Sequence, residues 1–139
     1  MALIYLVDTN TISETEQMKP TSQVVAKLTA NRGRIALASV SWHELLYGYH
    51  RLPESKRKDR VGFFIEQTVR PHVPVLSYNA AAAEWFAKER ARLSQMGRTP
   101  SYPDGQIAAI AATNRLILVT RNMVDFADFK GLEVEDWFS

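Results

Sequence analysis

Four short apolar runs set the limits on this fold: "LIYLV" (Leu3 to Val7), "RIALASV" (Arg34 to Val40), "VPVL" (Val73 to Leu76) and "LILVT" (Leu116 to Thr120). Each has the length of a strand, and none alternates polar with apolar residues as a strand with one wet face does. Runs of this kind are strands covered on both sides. A fifth segment, "LEVE" (Leu132 to Glu135), is expected as an edge strand.

Helical patterns fill the intervals. In Ser55 to Arg70 the residues Val61, Phe64, Ile65, Thr68 and Val69 fall at i, i+3, i+4, i+7 and i+8, one amphipathic stripe. Asn79 is a preferred cap for a long alanine-rich helix, and Gly97 is placed to end it. The stripe of Ala83, Phe86, Leu93 and Met96 should face a core, with Lys88, Arg90, Arg92 and Arg98 mostly elsewhere. A further helix, "DGQIAAIAATN", is rich in small residues that let its backbone approach a sheet closely. Strands alternating with helices over 139 residues predict one α/β domain spanning 1–139: a three-layer α/β/α fold on a mainly parallel sheet of four to five strands. In such sheets, functional groups gather at the carboxyl ends of the strands.

No stretch approaches the roughly 20 apolar residues that span a bilayer, and the N-terminal run lacks the flanks of a secretory signal. The expected compartment is the cytoplasm. With no cysteine, any metal must be held by oxygen or by the three histidines. The 17 basic and 15 acidic residues nearly balance, but positive charge concentrates in "RLPESKRKDR" and "KERARLSQMGR". Those runs read either as solvated helix faces or as patches for a polyanion.

The acids carry the chemistry. Asp8 closes the first run in "LIYLVDTNTISE" and, taken alone, is an N-cap for a helix starting near Asn10. Ser41 and Glu44 form an S-x-x-E capping box, which would leave Glu44 bonded back to the Ser41 amide. Asp104 follows Pro103 in the first turn of a helix, where a negative charge offsets the dipole by about 0.3 to 1 kcal/mol. Asp125 lies in "VTRNMVDFADF", in a loop or short helix.

Each residue has a local explanation, yet jointly they put acids just past strands that parallel topology brings side by side. Clustered carboxylates repel one another and are driven toward protonation unless a cation neutralises them. Oxygen-only ligands suit Mg²⁺, or Mn²⁺, better than zinc. Such an ion polarises a phosphate oxygen and acidifies a coordinated water, and two ions about 4 Å apart could serve both the attacking and the leaving oxygen of a phosphodiester.

"LVDTN", "SVSWHELLYG", "PDGQIAAIA" and "LVTRNMVDF" occur in the order and approximate spacing of the PIN-domain ribonucleases, and the likeness runs through the terminal "GLEVEDWF". The chain resembles the VapC-type toxins of toxin–antitoxin pairs, including their FitB-like members. The resemblance implies a Mg²⁺-dependent endoribonuclease that cuts tRNA, rRNA or mRNA and so inhibits translation. It implies an acidic quartet of Asp8, Glu44, Asp104 and Asp125, with Asp8 and Asp104 as principal metal ligands. Thr120 and Asn10 would support the site, and Asn122 competes with Asp125 for the fourth position. Arg98 and Arg121 are the candidates for holding RNA. Further implications are a homodimer and a cognate antitoxin, seated near the Trp42 to Phe64 helices and linking the toxin only indirectly to operator DNA.

Two other readings compete. A haloacid dehalogenase-like phosphatase also places an aspartate after its first strand, but it wants a second acid two residues later, where Asn10 stands. A non-catalytic binding module would use the acids only as caps. His43 and His50 are not expected as ligands, since His43 points away from its neighbour Glu44 on a helix, and His72 is expected in a loop. Trp42, Tyr47 and Tyr49 suit base stacking, a core or a partner interface. No Gly-rich phosphate loop or persuasive Ser–His–acid arrangement is present.

Overall fold

The computed structural model describes residues 2–139. The apolar runs form β1 (Tyr5–Val7), β2 (Ile35–Ala38), β3 (Val75–Leu76), β4 (Ile117–Val119) and β5 (Val134–Glu135). All pair in parallel, in the order β3-β2-β1-β4-β5. Tyr5 stands opposite both Ile35 and Ile117, and Leu118 opposite Val134. From β1 the chain builds outward through β2 and β3, then returns to the other side of β1 to lay down β4. That reversal opens a crevice at the carboxyl ends of β1 and β4.

The helices are α1 (Thr9–Ile12), α2 (Ser22–Ala30), α3 (Ser39–His50), α4 (Lys56–Phe64), α5 (Arg70–His72), α6 (Ala80–Gln95), α7 (Tyr102–Thr113) and α8 (Met123–Phe126). Alternate strand residues face opposite layers. Leu6 and Leu118 pack with Phe86, Leu93, Ile107 and Ile110 of α6 and α7, whereas Val7 and Val119 pack with Val24, Leu45, Phe64 and Trp137. This is the expected three-layer arrangement. Close approach of α6 and α7 depends on Gly105, where a Cβ would lie 2.0 Å from the Phe86 ring.

Asn79 caps α6 by accepting from the Ala82 amide at 3.0 Å, and Gly97, at φ +73°, ends it. Other details depart from expectation. Helix α3 starts at Ser39, so the last two residues of the run "RIALASV" are helical. The helix begun at Lys56 widens into a π-helical segment over Ile65–Val69. That shift in register turns Thr68 to solvent while Ile65 and Val69 stay buried. His72 lies in the helical turn α5 rather than in a loop. Met96 is 52% exposed, because the helix has already ended there.

Arg92 is not a solvated cation. It grips Glu89, which is 8% exposed, through two hydrogen bonds of 2.9 and 2.8 Å, and donates to the Asp128 carbonyl. Among the described residues, no helix is long and apolar enough to cross a membrane.

Candidate active site

A cleft of about 220 Å³ opens where β1 and β4 end, lined by Asp8, Asn10, Glu44, Asp104, Thr120 and Asn122. Asp8 is fixed through both oxygens. Oδ1 accepts from the Thr11 amide at 2.8 Å, capping α1, and Oδ2 accepts from Thr120 Oγ1 at 2.9 Å. The Thr120 hydroxyl in turn accepts from the Asn122 amide at 3.1 Å, which sets the course of the loop after β4.

The capping box at Ser41 does not form. Because α3 begins two residues earlier, Ser41 is a buried interior residue of the helix, and the Glu44 side chain is not turned back to the Ser41 amide. It receives a hydrogen bond of 3.2 Å from Thr9 Oγ1 instead. Asp104 sits in the first turn of α7, whose N-cap Ser101 accepts from the Asp104 amide at 3.3 Å. Burial pushes the Asp104 carboxyl above the ordinary aspartate range, the negative charge of Asp125 adds to this, and the hydrogen bond with Ser101 opposes it. Among the described residues, no lysine or arginine lines the cleft.

Three carboxylates and two amides therefore surround a cavity whose own lining offers no compensating positive charge. An all-oxygen donor set of this kind fits a hard divalent cation. The side chains are not drawn into a finished cage: among the described residues, no group of three acids or histidines is assembled for a metal.

The PIN domain family matches residues 5–132. The chain belongs to the PIN domain family. It is 36% identical over 135 residues to the tRNA(fMet)-specific endonuclease VapC of Shigella flexneri, covering 97% of this chain and 98% of that protein. The crystal structure of FitAcB from Neisseria gonorrhoeae superposes with a TM-score of 0.88 at 28% identity, over 97% of this chain and 99% of that one. DNA-bound VapBC from Salmonella typhimurium superposes with a TM-score of 0.83 at 30% identity, over 97% and 98%.

Within this PIN domain the expected site residues separate into groups. Asp8, Glu44 and Asp104 share the cleft with Thr120, Asn10 and Asn122. Asp125 lies in α8, beside the cleft residue Phe126 but not itself in the lining, and its negative charge acts on Asp104. Arg98 pairs with Asp128 at 3.3 Å, and Arg121 stacks on Phe138 with Cζ 4.4 Å from the ring centre. Thr9 and Ser101, which orient Glu44 and support Asp104, are the residues sequence reasoning overlooked. The spacing in "SYPD" is itself a capping signal three residues ahead of an acid. Thr9 has no such local mark, since its partner lies 35 positions away.

Proposed function

We propose that this PIN domain is a divalent-metal-dependent endoribonuclease and the toxin of a toxin–antitoxin pair. The observation that carries the reading is the meeting of Asp8, Glu44 and Asp104, from three separate elements, in one acidic cleft at the switch point of the sheet. Mg²⁺, with Mn²⁺ as a substitute, would be held by Asp8 and Asp104 with Glu44 and Asn122 or Asp125 completing the set. It would supply Lewis-acid polarisation of a phosphate oxygen and acidify a bound water.

The chain's own residues do the positioning. Two hydrogen bonds hold the Asp8 carboxylate at a fixed angle, Thr9 aims Glu44 across the cleft, and the rigid start of α7 presents Asp104. Asn10, with an amide where an acyl-phosphate-forming phosphatase needs an acid, leaves no carboxyl two residues after Asp8. The Shigella relative is named for tRNA(fMet), which makes a tRNA the first substrate to try. We place the antitoxin in the groove of about 460 Å³ between α3 and α4, where Phe63 is 70% exposed beside Leu46 and Tyr49.

The test is cleavage of RNA by purified protein with Mg²⁺ and with EDTA, followed by transcriptome-wide mapping of 5′ ends after brief expression of wild type and Asp8→Asn. Cuts that require Mg²⁺ and vanish in Asp8→Asn are expected. Identical maps for the two proteins would overturn the assignment.

A further inference from the structure

Phe138 is half-buried, its ring packed against the core that contains Trp137 and its backbone tied on both sides. Its amide donates to Asp136 Oδ1 at 2.8 Å, and its carbonyl accepts from the Gln23 side chain on α2. Gln23 also donates to the Trp137 carbonyl at 3.3 Å. Trp137 is 1% exposed, and its indole N–H is bonded to Glu135 Oε1 at 3.0 Å. With both backbone groups tied and the ring packed against the core that includes Trp137, the Phe138 ring forms a held platform.

The guanidinium of Arg121 rests on that platform, 4.4 Å from the ring centre. Arg121 is exposed and stands between Thr120, which bonds Asp8, and Asn122, which lines the cleft. It makes none of the ion pairs found among the described residues, whereas Arg98 and Arg92 are both engaged by acids. A stacked guanidinium keeps its N–H groups available for a planar, two-toothed grip on phosphate. Stacking also removes, before binding, side-chain freedom that would otherwise be lost on binding. The cleft itself is acidic, so a polyanionic strand entering it needs a cation at the rim.

We propose that Phe138 is a positioning residue that holds Arg121 as the anchor for an RNA phosphate adjacent to the one cleaved. This rests on the ribonuclease reading above. The aromatic ring thereby becomes part of substrate recognition although it touches no substrate.

Steady-state cleavage of a short RNA by the full chain tests it, with Arg121→Ala, Phe138→Ala, Phe138→Tyr and the Arg121→Ala/Phe138→Ala double variant. Arg121→Ala and Phe138→Ala are each expected to raise KM by about three- to thirtyfold, with kcat nearly unchanged. Phe138→Tyr, which keeps the ring, should behave as wild type, and the double variant should be no worse than Arg121→Ala. The salt dependence of KM should lose about one unit of logarithmic slope in Arg121→Ala. If Phe138→Ala fails to fold, Phe138→Leu supplies the same loss of the ring. An unchanged KM and salt slope in Arg121→Ala, or fully additive effects in the double variant, would overturn the inference while leaving the ribonuclease intact. No cleavage by the wild type would remove both.

Discussion

Thr120 Oγ1 donates to Asp8 Oδ2 at 2.9 Å, joining the residues that follow β4 and β1 across 112 positions of sequence. Thr120 is 1% exposed, so the bond is sheltered from water and fixes the carboxylate that heads the cleft. Thr120→Val keeps the shape and removes the hydroxyl. We expect a loss of about ten- to a hundredfold in Mg²⁺ affinity or cleavage activity, the usual cost of removing a partner that orients a ligand. A Mg²⁺ titration of cleavage measures it; a curve superposable on wild type would show that the bond orients nothing.

Asp104 gives a pH dependence with a definite sign. Burial first, then the charge of Asp125, raise its carboxyl in the folded chain, with the Ser101 hydrogen bond opposing. The folded state therefore holds this proton more tightly than the unfolded state. Its cost to stability is absent below the unfolded aspartate range, grows as pH rises toward the raised folded value, and is complete above it. In EDTA near neutral pH, Asp104→Asn should have the higher Tm, with the difference shrinking on acidification. Saturating Mg²⁺ should stabilise wild type more than the variant. Thermal melts at two pH values, with and without Mg²⁺, decide it.

Gly105 lies next to Asp104 and against Phe86, which is buried at 2% exposure. Gly105→Ala sets a methyl group 2.0 Å from the ring. Overpacking of this kind costs about 1 to 3 kcal/mol. Urea denaturation should show the loss, and Phe86→Leu in the same chain should restore part of it. Equal stability of Gly105→Ala and wild type would contradict this packing of α6 on α7.

Glu89 ties α6 to the segment before β5, accepting two bonds from Arg92 and one of 2.8 Å from the Lys130 amide. The Arg92 bond holds its carboxyl below the ordinary glutamate range against the opposing effect of burial. Its contribution is present above the unfolded glutamate range and is lost as pH falls through the lowered folded value. Glu89→Gln should cost about 1 to 3 kcal/mol near neutral pH, and the gap to wild type should close in acid. Denaturation curves across that range measure both the gap and its closing.

Local patterning determined a large share of this molecule. Five strands, the burial of the central β1, β2 and β4, and the caps at Asp8 and Asn79 follow from residue spacing, because periodicity and capping act within a few residues of the chain, whereas β3, expected to be covered on both sides, lies at the sheet edge with Val75 exposed. The residues that end the strands also marked the edge of the sheet where the cleft would form. Only the tertiary structure decided how those residues are used. Glu44 bonds Thr9 rather than the Ser41 amide because α3 starts at Ser39, not at Ser41. Asn122, whose amide donates to Thr120 Oγ1, lines the cleft, whereas Asp125 lies within α8 and does not. Arg98 and Arg121 look alike in sequence, yet one meets Asp128 and the other the Phe138 ring. Glu89 is buried although its segment reads as a charged helix face. Glu44 finds its partner 35 positions away, Arg98 30 and Glu89 41. Strand order brings such partners together, and no local period encodes it.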